Sequence, residues 1–204
     1  MVKKLSFNDP KLENAVQDIQ LPKITKTKDV YLDMVEIIIS QQLSGKVAKV
    51  IYDRFLNLFE NKYPKPKDLL KTDDQILRNA GLSNSKAKYV KNLAEFALKN
   101  DLSLKKIESM TDEEIIAYLS QIKGIGKWSV EMLLIFSLDR PDVFPYDDLV
   151  IKKSIIDIYG LKSEGKALIS RMIKIADKWK PNRTTASRLL WAYYGLQIQS
   201  KKKK

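Results

Sequence analysis

Apolar residues recur along this chain at intervals of three and four, the period of a helix with one buried face. Residues 29–41 (DVYLDMVEIIISQ) place Val30, Met34, Ile37 and Ile38 on one side. Ser44 stands in a capping position ahead of a second stripe, Val47, Val50, Ile51, Phe55 and Phe59. Pro64 and Pro66 break the chain. Thr72, followed by Asp73 and Asp74, opens a short helix ending at Gly81. A longer helix over 84–98 turns Tyr89, Leu93, Phe96 and Ala97 inward. Thr111-Asp112-Glu113-Glu114 is a capping box that starts a helix running to about Ser120. Residues 127–138 are helical, and Arg140-Pro141 and Phe144-Pro145 bracket a loop. Further helices follow at about 148–159, 162–178 and 182–197. No clear run alternates with period two between turn signals, so no sheet is expected. No Gly/Ser linker divides the chain, no internal repeat is visible, and the seven glycines are read as helix ends. The expectation is an all-α protein, two helical lobes around a shared cleft, forming one unit rather than two independent domains.

Composition narrows the chemistry. The chain of 204 residues contains no Cys and no His. That excludes disulfides, thiolate nucleophiles, cysteine-ligated zinc, iron–sulfur clusters and any imidazole base. Catalysis must run on Asp, Glu, Lys, Tyr, Ser/Thr or a carboxylate-bound metal. The formal net charge is +12, of which the terminal run Lys201–Lys204 supplies four. Such a balance suits a polyanionic partner, although a Lys-rich surface also serves solubility. Only six of the 37 basic residues are Arg. Lysine is a point charge for phosphates and arginine the better reader of base edges, so weakly sequence-specific backbone binding is expected. No stretch is long and apolar enough for a membrane span or a signal peptide, and an intracellular protein is expected.

The informative segment is 118–153, YLSQIKGIGKWSVEMLLIFSLDRPDVFPYDDLVIKK. It reads as helix, a tight turn at Gly124-Ile125-Gly126, helix, a Pro-bounded loop, and Asp147-Asp148 opening another helix. Two glycines one residue apart let the backbone turn sharply at a helix N-terminus, where amides and dipole favour a phosphate. Lys123 and Lys127 flank them. Taken alone, this reads first as a plain helical hairpin turn, and Asp147 and Asp148 read first as an N-cap and first helical residue.

The whole segment resembles the helix-hairpin-helix (HhH-GPD) DNA glycosylases, and within them the 3-methyladenine DNA glycosylase II branch. Gly124-Ile125-Gly126-Lys127-Trp128-Ser129 is similar to that branch's G-I-G-[RK]-W-[ST]. Asp142-Val143-Phe144, Asp147-Asp148 and Ile151-Lys152 resemble its D-V-F…D-D…I-K. Ile39-Ser40-Gln41-Gln42-Leu43-Ser44 is like its I-x-x-Q-Q-[VL]-S, and Gly81-Leu82-Ser83 with Lys86-Ala87 and Tyr89 like its G-L-S…K-A-x-Y. Trp179, Pro181, Arg183 and Ala186 with Leu190-Trp191 resemble W-x-P-x-R-x-x-A…LW. The resemblance spans about residues 28–195, with 1–27 as an N-terminal segment, the hairpin and Asp loop at 112–153, and 201–204 as a basic tail. Some members carry an additional sheet domain ahead of this region, and residues 1–27 are expected to be too short to form one.

What the resemblance implies is a DNA base-excision repair enzyme that flips an alkylated purine out of duplex DNA and hydrolyses its N-glycosidic bond. Asp148 aligns with the family's catalytic acid. It would stabilise an oxocarbenium-like sugar and orient water, while Asp147 is expected to cap. Positively charged lesions such as 3-methyladenine and 7-methylguanine need no general acid, which agrees with the absence of His. Gln42 matches the side chain that fills the gap left by the flipped base, or is an ordinary loop residue. Trp128, Tyr146 and Phe144 are candidate walls of an aromatic base pocket, against core packing as the alternative. Trp179 and Trp191 read as buried scaffold, and Arg183 as a partner for a carboxylate. The amides at Gly124 and Gly126, with Lys123 and Lys127, would hold a backbone phosphate. The resemblance also implies a main-chain-bound monovalent cation, Na or K, at the hairpin near Gly124. No side-chain metal site and no required cofactor are expected.

Lyase-competent relatives carry a Schiff-base Lys just after the hairpin; here that position is Trp128, which implies a monofunctional enzyme leaving an abasic site. Competing readings are a non-catalytic helix-hairpin-helix DNA-binding module, a glycosylase/lyase for other damaged bases, and a basic helical interaction protein with no DNA. A monomer in the cytoplasm at the nucleoid, or in the nucleus, not secreted and not membrane-bound, is expected.

Overall fold

The computed structural model describes residues 7–202, with side chains up to residue 200. The leading Met1–Leu5 and the Lys201–Lys204 run as a charged tail lie outside the described side chains. Among the described residues there are twelve α-helices and no strand. In chain order they are α1 (Pro10–Val16), α2 (Val30–Ser40), α3 (Gly45–Leu56), α4 (Pro66–Lys71), α5 (Asp74–Asn79) and α6 (Asn84–Lys99). Then come α7 (Leu104–Glu108), α8 (Asp112–Leu119), α9 (Lys127–Phe136), α10 (Leu149–Tyr159), α11 (Gly165–Ala176) and α12 (Arg183–Lys202). No helix among the described residues is long and apolar enough to cross a membrane. The chain divides into two compact units. One runs from Thr25 to Asp139, and the other combines the stretch up to Ile24 with everything from Arg140 on.

In the Thr25–Asp139 unit, α2 packs on α3, α6 and α9, α4 and α5 pack on α6, and α8 packs on α9. Helix α2 buries Val30, Tyr31, Met34, Val35, Ile38 and Ile39. Helix α9 is buried nearly all round, from Ser129 to Ile135, as a central helix must be. Each such aliphatic side chain contributes about 1.5–3 kcal/mol when taken out of water. The capping box of α8 forms as expected: Thr111 Oγ1 accepts from the Glu114 amide, and Glu114 Oε2 from the Thr111 amide.

Several details differ from the pattern-based expectation. On α3 the buried positions are Ala48 and Phe55, while Val47 and Val50 are about half exposed. The α6 core face is Ala87, Val90, Leu93 and Ala94, with Tyr89 and Phe96 at its edge. Helix α5 is capped by Asp73, not Thr72. Pro66 starts α4 instead of ending a helix, because its fixed φ and missing N–H suit the first turn. Gly195 lies inside α12, not at an end. Helices α1, α4 and α7 span five to seven residues, too short to show a period.

In the other unit, α10 packs on α12 and α1, around a core that includes Ile151, Ile155, Met172, Trp179 and Leu190. The N-terminal segment is anchored in this unit. Buried Asp9 caps α1 and accepts hydrogen bonds from Tyr159 Oη at 2.7 Å and Trp179 Nε1 at 3.2 Å. Desolvation, reinforced by this carboxylate, pushes the Tyr159 phenol far above its ordinary pKa.

Candidate functional site

The expected site residues fall into two sets, one in each unit. In the Thr25–Asp139 unit the structure brings together the turn after α2, the hairpin between α8 and α9, and Trp128. Helix α2 ends at Ser40, Gln41 is its C-cap, and Gln42 is exposed with φ at 58°. A left-handed backbone at a non-glycine residue costs about 1 kcal/mol or more, so this turn is held by its surroundings.

The two hairpin glycines differ in how tightly they are constrained. Gly124 has φ of 102°, and a Cβ there would come within 2.1 Å of the Tyr89 ring. Gly126 is the N-cap of α9, and a Cβ there would meet nothing within 4 Å. No side chain caps α9, and a helix start of that kind suits an anion. The hairpin is tied to its neighbours through its carbonyls. Asn92 Nδ2 donates to the Lys123 oxygen at 2.8 Å. Gln41 Nε2 donates to the Gly124 oxygen at 3.3 Å and to Ser129 Oγ at 2.9 Å. The Lys123 and Lys127 side chains are exposed, and Lys127 Nζ lies 3.6 Å from the buried carboxylate of Glu131. Lys127 therefore answers an internal charge as well as facing solvent.

Trp128 lines a pocket of about 430 Å³ together with Asp33, Glu36, Ile37 and Ser40 of α2 and Met132 of α9. The two carboxylates escaped the sequence reading. Their only signal is that positions 33, 36 and 40 share a flank of α2 beside its apolar stripe. Desolvation, followed by repulsion from Asp33, raises the Glu36 pKa from its ordinary value, although part of the residue is exposed.

In the other unit, Asp148 is buried at the start of α10. Its Oδ1 accepts from the amides of Val150 at 2.8 Å and Ile151 at 2.9 Å, and from Trp191 Nε1 at 3.0 Å. Two expectations are corrected here. The cap is Asp148, whereas exposed Asp147 pairs with Lys152 Nζ at 3.1 Å. Trp191 is half-buried and holds the candidate carboxylate, while Trp179 is the fully buried scaffold indole. Phe144 is also corrected: it is buried edge-on against Trp179 at 5.7 Å between centroids, which makes it a core residue and not a pocket wall. Tyr146 is half-buried in the same loop. Arg183 pairs with a carboxylate as expected, its Nε and Nη2 each 2.8 Å from Asp142. Burial pushes the Asp142 pKa up, but the Arg183 hydrogen bonds and charge outweigh it and hold the group below its usual value.

The hairpin carbonyls of Ile122, Lys123 and Gly124 each already accept a donor from the protein.

The chain is similar to known DNA repair proteins over most of its length. Residues 35–181 match the model of the HhH-GPD superfamily base excision DNA repair proteins. The chain is 34% identical over 189 residues to DNA-3-methyladenine glycosylase 1 of Schizosaccharomyces pombe, covering 92% of this chain and 82% of that one. A structure of the S. pombe 3-methyladenine DNA glycosylase with abasic DNA superposes with a TM-score of 0.80 at 34% identity, over 92% of this chain and 91% of that one. A DNA-3-methyladenine glycosidase from Bacillus halodurans gives 0.72 at 30% identity, over 96% and 94% of the two chains. By the extent of the family match and the closeness of these relatives, this chain belongs to the HhH-GPD superfamily of base excision DNA repair proteins.

Proposed function

We propose that the protein is a monofunctional DNA glycosylase that releases positively charged alkylated purines, of the 3-methyladenine and 7-methylguanine type, from duplex DNA. The observation that carries the reading is Asp148, a buried carboxylate whose Oδ1 is fixed by two amides and an indole. Breaking the N-glycosidic bond sends its electron pair to the base nitrogen and leaves positive charge on the sugar. A preorganised carboxylate stabilises that charge and orients the water that adds to C1′. The water's second proton passes to Asp148 or to solvent. A cationic base departs neutral, so no general acid is needed and none of the imidazole type exists in this chain.

The remaining roles follow from the other set. The open start of α9 at Gly126, with Lys123 and Lys127, would take a backbone phosphate. Gln42, exposed on its left-handed turn, would fill the space of the flipped base. The Trp128 pocket, with the Asp33 and Glu36 carboxylates beside an indole, suits an electron-poor cationic ring. Tyr146 is a further candidate for base contact. Trp128 in place of a Schiff-base Lys supports hydrolysis without strand cleavage. A monomer suffices for these roles, at the nucleoid or in the nucleus where such DNA resides.

The test is base release from methylating-agent-treated duplex DNA, read by chromatography with mass detection. Free methylpurines, with strand breaks appearing only after alkali, support the reading. DNA binding without base release, on this and on oxidised or deaminated DNA, would favour a binding module.

A further inference from the structure

Helix α6 carries three polar or aromatic residues at intervals of three, Lys86, Tyr89 and Asn92, which share one flank. Each is engaged with a piece of the DNA-handling machinery. Asn92 holds the Lys123 carbonyl, and Tyr89 lies under Gly124. Lys86 Nζ donates to the carbonyl oxygens of Ile39 and Gln41, both at 2.7 Å. Those two carbonyls belong to the last turn and the cap of α2, immediately before Gln42. A cation at a helix C-terminus is favoured by the dipole, and here it also neutralises two acceptors that the helix leaves open.

From this geometry we infer that Lys86 is a positioning residue: it clamps the end of α2 so that Gln42 is presented at a fixed distance from the hairpin. The Gln41 side chain adds a second tie, through Gly124 and Ser129. Gln42 gains no side-chain hydrogen bond from this arrangement; the backbone on its N-terminal side is what is fixed. A left-handed turn at a non-glycine residue otherwise has cheaper conformations to relax into, and relaxation would withdraw the side chain from the position it must occupy in the base stack. The inference rests on the reading of Gln42 as the residue that fills the flipped base's place.

The experiment pairs an unstacking signal with excision. The first probe is duplex DNA with 2-aminopurine next to a tetrahydrofuran abasic analogue, whose fluorescence rises when the stack is opened. The second is methylated duplex against methylated single-stranded DNA, under single-turnover conditions. Lys86→Met is expected to lose most of the fluorescence rise and about tenfold in duplex excision, with single-stranded excision nearly unchanged. Lys86→Arg keeps a donor for both carbonyls and is expected to retain most of both signals. Combined with Gln42→Ala, Lys86→Met should cost little beyond the single change, where independent effects would multiply to about a hundredfold.

Equal losses on duplex and single-stranded DNA, or multiplicative losses in the double variant, would overturn the inference. No fluorescence rise with the wild type would overturn it as well. A rise with the wild type but no methylpurine release would instead overturn the glycosylase reading and leave the clamp standing. Should Lys86→Met fail to fold, Gln41→Leu, which cuts the second tie, carries the same expectations.

Discussion

The indole nitrogen of Trp191 donates to Oδ1 of Asp148 at 3.0 Å, on the same oxygen that caps α10. One carboxylate oxygen is thus held by α10 and by α12 together. This fixes the plane of the group proposed to face the developing cation.

Trp191→Phe keeps the ring and removes this donor. A hydrogen bond to a charged group is worth about 1.5–3 kcal/mol, so base release should slow by roughly tenfold or more. The two α10 amides still satisfy Oδ1, so stability should fall by no more than the same amount, about 1.5–3 kcal/mol, and the protein should remain folded. Single-turnover excision alongside calorimetry checks both.

Gly124→Ala and Gly126→Ala should separate sharply. At 124 the new methyl collides with the Tyr89 ring on a backbone of positive φ. A loss of about 2 kcal/mol or more in stability is expected, together with weaker DNA binding. At 126 nothing lies within 4 Å, and the fold should tolerate the change. Denaturant unfolding and DNA binding at several salt concentrations measure the two.

Glu36 should make excision of cationic bases pH-dependent. Its carboxyl pKa is raised, so its negative charge is lost at a higher pH than for an ordinary Glu as pH falls. Release of 7-methylguanine should therefore decline on mild acidification, before ordinary carboxylates titrate. Glu36→Gln should be slower by severalfold at neutral pH and flatter across that range. A wild-type profile unchanged by Glu36→Gln would remove the carboxylate from the pocket's role. The raised pKa has a stability counterpart. The folded state binds this proton more tightly than the unfolded chain, so stability falls as pH rises through the window between the two values. Glu36→Gln should accordingly be neutral or stabilising at pH 7.

Helical periodicity made α2, α6, α8 and α9 legible, because each is long enough, or well enough capped, to show its own signal. The Asp148 position and the hairpin turn were visible as a motif. Three things were not. The cap assignment of Asp147 against Asp148 depends on which residue the backbone turns inward, and adjacent identical side chains cannot report that. The positions of Trp191 and Phe144 depend on packing between distant segments, which alone shows that the Trp191 indole reaches a carboxylate while Phe144 packs against Trp179. Lys86 is a surface-like Lys in a Lys-rich chain, and its two carbonyl partners lie 45 and 47 residues away.

The most direct test of the account replaces Asp148 by Asn. Asn caps a helix about as well as Asp, so the fold and the α10 N-terminus should survive while the negative charge is lost. With methylated duplex DNA, wild type should release methylpurines and Asp148→Asn should release them about a hundredfold more slowly or worse, with DNA binding retained. Equal release by both proteins would contradict it, and would leave Asp148 a helix cap only.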